Sequence, residues 1–442
     1  MARSGALRGN ADFRRYWTSE TLSTLGSYVS YIAYPLLVLS LGGSPAEAGA
    51  VATCAMAARL IFRLPAGHLV DGWDRRRVMF ATDVVRAVGV GSIPVAAAIG
   101  VLGYPQLLIV AAVEGVATAL FSPASTIAVR DVVPEEHLPE ALGRSQAAAA
   151  TASLIGPFVG GWLFTVDRVL PFVVDSASYA VSAVLVARIT ARPEAAPASG
   201  TADRSPVAGL RWLGRQPMLL RALAFAGLLN LVTASAEVAF VLALRLGGTS
   251  PSGIGLVMAC AGVGGVLGSA AAPWIVRRLD PGPLFLLVGT VWAAGLTLFA
   301  TTSSPWVLGP VLVVLVLLSP PAGIVVGRAV LTLAPRELIG RVSTASGMVT
   351  AGLAATGPVL AGAALQALGV SWTWLLLGGL ALVITLVSAG PLLRTRGLLT
   401  VRPQPSEAQP QTKPGTAAEP EGAAGSAQDP AAAGTPVGEA GR

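Results

Sequence analysis

Twelve long stretches of this chain pass almost without a charge, separated only by short polar breaks. Bounded by charge, glycine and proline, they run 14–41, 47–70, 77–101, 104–127, 142–165, 169–190, 218–246, 252–276, 282–302, 305–332, 341–368 and 371–394. A bilayer core about 30 Å thick is crossed by a helix of ~20 apolar residues, so each stretch is long enough to span. Charged residues make up 12% of the chain and hydrophobic ones 53%, whereas a soluble domain carries about a quarter charged. A string of soluble domains is thereby excluded. The ~10-residue alternation of a transmembrane barrel is not visible. The expected fold is an all-α membrane protein of twelve transmembrane helices, packed closely through small residues.

The charges that remain are sorted by loop. Arginines precede run 1 (Arg3, Arg8, Arg14, Arg15) and fill the 2–3 loop (Arg75 to Arg77). They recur at Arg130 and Arg144, from Arg188 to Arg221, at Arg277 and Arg278, at Arg328, Arg336 and Arg341, and after run 12. The alternate loops are nearly bare, with only Arg168 and Arg245 near that side. The net charge of +7 is thus a topology signal rather than a nucleic-acid surface, and it predicts cytoplasmic N and C termini. The first run is too long for a signal-peptide core and reads as a retained helix. Cys54 and Cys260 are isolated within apolar runs, which indicates small core residues rather than a disulfide or metal pair.

Residues 1–13 read as a cytoplasmic N-terminus, 14–190 as an N-terminal six-helix bundle and 191–217 as a cytoplasmic linker with a short interfacial helix from Val207. Residues 218–395 read as a C-terminal six-helix bundle and 396–442, rich in Pro, Ala and Gly, as a disordered tail. The bundles repeat. Ala124 to Arg130 and Ala322 to Arg328 are each six apart, and Pro134 to Pro157 and Pro335 to Pro358 are each 23 apart. Two six-helix pseudo-repeats are a transporter signature, with the substrate site near the midplane between them.

The 2–3 loop, Gly67 to Met79, holds Asp71 and the run Arg75-Arg76-Arg77. With Gly67, Asp71, Arg75 and Arg76 in place it resembles the signature loop of the major facilitator superfamily. Gly72 and Asp74 depart from that pattern. The ending is similar to bacterial exporters of the enterobactin-exporter and macrolide-efflux type. The resemblance implies a cytoplasmic latch between the halves, with Arg130 as the preferred partner of Asp71. Run 5 carries Gly156-Pro157-Phe158-Val159-Gly160-Gly161. This looks like the family's antiporter motif and implies export. Its glycines and proline also suit close packing and a kink.

Ionisable residues inside apolar runs are functional candidates because a charge there is costly. Asp83 and Arg86 share a helical face and can pair. Asp175 is placed to cap or bond locally. Arg63 can snorkel, whereas Arg59 lies near the midplane. In the fold that the chain resembles, helices 1, 4, 7 and 10 line the cavity. Glu20, Glu114 and Glu237, with Asp83, are therefore candidates for exchanging a proton in each transport cycle; the structural alternative is an ion pair such as Glu20 with Arg59. Tyr28, Tyr31, Arg59 and Phe121 are candidates for lining an amphipathic cavity. The family's arginine three residues before Glu114-Gly115 is missing, with Val110 and Ala111 there. Run 8 is glycine-rich for packing; it lacks the strand and soluble βαβ context of a dinucleotide site. No phosphate-binding GxxxxGK[ST] loop, metal cluster or cofactor motif is present, and no enzyme chemistry is indicated.

These features predict a monomeric, multi-pass transporter of the inner (plasma) membrane, an exporter of a small amphipathic molecule (drug, macrolide-like compound or siderophore) in exchange for protons. Its partners are the substrate, protons and the lipid bilayer, with no nucleic acid. An importer of the same fold and a non-transporting scaffold or sensor are the competing readings.

Overall fold

A computed structural model describes residues 7, 9–191, 207–335 and 338–393, with the side chains of 64, 67–72, 207 and 391–392 outside the description. Among the described residues, twelve helices are long and apolar enough to span a membrane. We number the spans α1 (Ala11–Ser40), α2 (Pro45–Gly72), α3 (Arg75–Ala98), α4 (Tyr104–Val132), α5 (Leu138–Val166) and α6 (Leu170–Ala187) in the first half. In the second half they are α7 (Pro217–Leu246), α8 (Pro251–Arg278), α9 (Pro281–Phe299), α10, α11 and α12 (Val370–Leu393). Span α10 is Pro305–Leu317 continued by Ser319–Leu333. Span α11 is Ile339–Gly352 and Gly357–Leu368, joined through a 3₁₀ turn at Ala354–Thr356. A short linker helix, Val207–Gly214, precedes α7. The expected tail, and most of the expected linker, lie outside the described residues.

Short polar residues start several spans. Asn10 accepts from the Phe13 amide at 3.0 Å to cap α1. Ser44 and Glu47 form a reciprocal capping box at α2, with Ser44 N to Glu47 at 2.7 Å and Glu47 N to Ser44 at 3.2 Å. Asp74 caps α3 by accepting from the Arg76 and Arg77 amides. The expected 2–3 loop is therefore short: α2 runs through Gly72, only Trp73 and Asp74 intervene, and α3 starts at Arg75.

Proline shapes the second half. Pro320 and Pro321 cannot donate to the carbonyls of Val316 and Leu317, and α10 breaks beside them at Leu318. Pro358 likewise follows the break in α11. The corresponding Pro123 and Pro157 sit within unbroken helices.

The halves meet along two equivalent seams near the arginine-poor face. A Cβ built on Gly49 of α2 would lie 2.2 Å from the Pro358 carbonyl oxygen of α11, and one on Gly362 would lie 2.2 Å from that of Pro45. Across the molecule, a Cβ on Gly255 of α8 would lie 2.5 Å from the Pro157 carbonyl of α5, and one on Gly161 would lie 2.3 Å from that of Pro251. Only glycine permits backbones this close. The α2–α11 seam gains a bond from the Val359 amide to Thr53 Oγ1 at 3.0 Å. On the α5–α8 seam the close contacts reach Gly262 against Leu154. Nearer the arginine-rich face, Leu142, Gly143, Gln146 and Ala147 of α5 are exposed, so the two halves part there.

If the crossings seal the arginine-poor face, a large side chain at one of them opens it. In a Cys54→Ser, Cys260→Ser chain carrying Thr53→Cys, adding Gly49→Leu should raise labelling by a membrane-impermeant maleimide applied to that face several-fold. Unchanged labelling would show that the seam does not depend on this glycine.

Candidate functional site

The first half holds a polar interior where a membrane bundle would ordinarily be apolar. Asp83 and Arg86 of α3 are one helical turn apart and pair at 2.7 Å, with side chains 0% and 5% exposed. The second Asp83 oxygen accepts from Ser182 of α6 at 2.6 Å. The Arg86 guanidinium lies 4.4 Å from the ring centre of Phe121 and 4.5 Å from that of Tyr179; such stacking stabilises a desolvated cation. Phe121 thus differs from the cavity-lining role expected of it: it is 8% exposed and turned onto Arg86.

From Tyr179 the network continues to α1 and α4. Its hydroxyl sits 2.7 Å from Ser27 Oγ and donates to Glu114 at 3.5 Å. The other Glu114 oxygen accepts from Tyr34. Glu114 is ten residues into α4, about 15 Å along the helix axis and so near mid-bilayer. Asp175 of α6 is fully buried. It accepts from Ser30 of α1 at 2.5 Å, with its second oxygen unpartnered among the described residues. Its reach across to α1 replaces the local capping expected of it. Asp175, Glu114 and Arg86 lie within electrostatic reach of one another. Among the described residues Arg86 pairs with Asp83 alone, so the Glu114 and Asp175 carboxyls are held by hydroxyls and have no ion-pair partner of their own.

Glu237 of α7 is elsewhere, in the second half, and is exposed. Tyr31 of α1 donates to it at 3.0 Å, so this bond bridges the halves. Tyr31 is 41% and Tyr28 36% exposed, and Arg59 is exposed on α2. Glu20 does not pair with Arg59; it accepts from Ser125 of α4 at 3.1 Å and Ser145 of α5 at 2.8 Å. Two hydroxyls from separate helices satisfy it, and no cation is needed.

The α5 motif divides its labour between neighbours. Gly156 and Gly160 face Tyr28 and Val29 of α1, whereas the Pro157 carbonyl and Gly161 face α8. The glycines of α8 serve packing: Gly264 and Gly268 meet the Val313 and Leu317 carbonyls of α10.

At the arginine-rich face, the basic run is tied into the first half. Arg75, 8% exposed, pairs with Asp131 at the end of α4 at 3.2 Å. Sequence reading overlooked Asp131; its place beside Arg130 at a helix end was the available signal. Arg76 donates to the carbonyls of Val186 and Ala187, the unsatisfied C-terminal groups of α6, where a cation is favoured. Arg15 bonds the Arg188 carbonyl at 2.8 Å, and Asp12 accepts from Thr190 and Ala191. Arg130 is exposed. Gly67 and Asp71 lie on the backbone of α2, but their side chains, and hence the expected contact of Asp71 with Arg130, lie outside the described residues. Cys54 and Cys260 are free and half-buried rather than core.

A sequence model of the Major Facilitator Superfamily matches residues 16–355. Multidrug efflux pump Tap of Mycolicibacterium fortuitum is 26% identical over 376 residues, 80% of this chain and 88% of that protein. Macrolide efflux protein A of Streptococcus pyogenes is 24% identical over 154 residues, 35% of this chain and 38% of its own. The crystal structure of nucleoside transporter NupG superposes with a TM-score of 0.66 at 14% identity, covering 86% of this chain and 99% of that one.

Breaking a buried pair by removing one partner costs about 3–5 kcal/mol. Asp83→Ala should therefore lower the melting temperature of the purified chain sharply, and adding Arg86→Leu should restore much of it. Wild-type melting of Asp83→Ala alone would deny the pair a structural role.

Proposed function

The chain belongs to the Major Facilitator Superfamily, a family of transporters rather than an enzyme class, and we propose that it is an exporter of a small amphipathic molecule, driven by proton antiport. As a multi-pass protein of twelve apolar spans it belongs to the cell membrane, in bacteria the inner membrane. The observation that carries the mechanism is the charge balance of the first half. If Asp83, Glu114 and Asp175 were all ionised, Arg86 would offset one of them and two negative charges would stand uncompensated within the membrane span, which is costly. Proton exchange resolves the imbalance. Asp83 is committed to Arg86 and Ser182, so Glu114 and Asp175 are the carriers. Glu114 is the better placed, because it is only half-buried and lies near mid-bilayer.

The cycle is alternating access. In the arrangement seen here the halves are joined near the arginine-poor face and part near the arginine-rich face, which we read as the cytoplasmic one. Substrate enters the space between the halves and meets Tyr28, Tyr31 and Glu237. Engaging Glu237 competes with the Tyr31 bond and loosens the bridge between the halves. The basic run then latches the cytoplasmic ends in the other state, with Asp71 and Arg130 in that role. Export, rather than import, is favoured by the α5 motif and by two relatives that are named efflux proteins. The cargo leaves chemically unchanged.

Everted membrane vesicles test this. With the interior acidified, vesicles holding the chain should accumulate a cargo found by susceptibility screening of a disrupted strain, and an uncoupler should abolish accumulation. Glu114→Gln should remove the proton-driven component and leave the protein folded in the membrane. Flux into right-side-out vesicles alone would make it an importer. Proton-linked flux unchanged in Glu114→Gln would overturn the coupling scheme.

A further inference from the structure

The second half contains a pocket that the proton pathway does not use. About 340 Å³ in volume, it lies between Leu223 of α7, the segment of α10 beyond the Leu318 break (Val326, Gly327) and the segment of α11 before the 3₁₀ turn (Ser343, Ser346, Gly347). Ligand pockets begin at about 300 Å³. Gly323 and Gly327 place no side chain in the space, and the Val326 and Leu223 side chains supply an apolar lining. Within that lining Ser346 is 6% exposed, and its hydroxyl bonds to nothing among the described residues. A buried hydroxyl without a partner carries a desolvation cost that an incoming acceptor or donor would relieve. The neighbouring Thr350 hydroxyl is already spent on the Ser346 carbonyl at 3.0 Å.

The charge beside the pocket comes from the other half. The Arg63 guanidinium of α2 lies against Gly347, with its nitrogens 3.0 and 3.1 Å from where a Cβ there would stand. Arg63 is exposed, and no carboxylate pairs with it or with Arg59 one turn earlier among the described residues. Without a carboxylate these two guanidiniums on one helix face remain open to an anion, and a planar fork of donors suits a carboxylate or phosphate. We propose that this pocket is a binding site for an amphipathic anion: Arg63 holds the carboxylate or phosphate, Ser346 donates to it or to an adjacent acceptor, and the apolar tail lies between α7 and α10. Because the pocket walls come from the second half and the guanidinium from the first, an occupant bridges the two.

This deepens the export reading, on which it rests only for the direction in which such a molecule moves; binding and flux are measured separately for that reason. Full-length chain in phosphatidylcholine nanodiscs is titrated with a dansylated undecanoate and with its methyl ester, following dansyl fluorescence. The carboxylate should bind, and the ester should bind about tenfold weaker or less. Arg63→Gln and Ser346→Ala should each weaken the carboxylate by a similar factor, whereas Arg63→Lys should recover part of it. Ser346→Ala removes a hydroxyl that bonds nothing, so its melting temperature should stay at the wild-type value. Equal affinity for acid and ester, or wild-type affinity in both variants, overturns the site. Displacement of the probe by phosphatidylglycerol in the nanodisc keeps the site and assigns it to a lipid headgroup; indifference to that lipid supports a free cargo. Intact binding with no flux in everted vesicles would sink the export reading and leave the site standing.

Discussion

Close backbone crossings hold the two halves together, and among the described residues they include two symmetric pairs. In each pair a proline carbonyl of one helix meets a glycine of its partner in the other half: Pro45 with Gly362 and Pro358 with Gly49 on one side, Pro251 with Gly161 and Pro157 with Gly255 on the other. Lipid gives no hydrophobic reason for helices to associate, so close packing has to supply the contact. Everything beneath the seams depends on them. The Tyr31–Glu237 bond spans a gap whose width they set, and Arg63 reaches Gly347 because α2 and α11 cross at a fixed point.

The halves share topology but not interior. Around Arg86 the first half is hydrogen-bonded and charged. The second half instead carries aromatic clusters toward the ends of its helices: Phe240 packs on Phe299 at 4.7 Å and on Trp374 at 4.8 Å between ring centres, and Phe225 sits 5.8 Å from Phe285. The first half thus has a hydrogen-bonded interior, whereas the second has an apolar one with broken helices.

The spans, the linker helix and the Asp83–Arg86 pair were legible in the sequence, because hydropathy and i,i+3 spacing are local properties. The repeat was legible further than first noticed. Ser44-Pro45 followed by Gly49 recurs as Ser250-Pro251 followed by Gly255, and those residues form the seams. What resisted reading was decided by contacts between distant helices. Asp175 meets Ser30, Glu20 meets Ser125 and Ser145, and Phe121 turns to Arg86, because α1, α3, α4, α5 and α6 pack in one order among many that the same hydropathy allows. Arginines in a short loop likewise look like topology marks whether or not a helix end lies within their reach.

That last point bears on how the basic run is to be probed. Arg75 is buried on Asp131 and Arg76 closes the end of α6, so each takes part in the folded first half as well as in the charge that directs insertion. Neutralising either one would disturb the packing of the first half together with the charge of the loop. Arg77, 88% exposed and touching only its own helix cap at Asp74, is the member of the run whose charge can be altered with little else disturbed. The three adjacent arginines are chemically identical, and the third is the one whose charge stands largely clear of the packing of the first half.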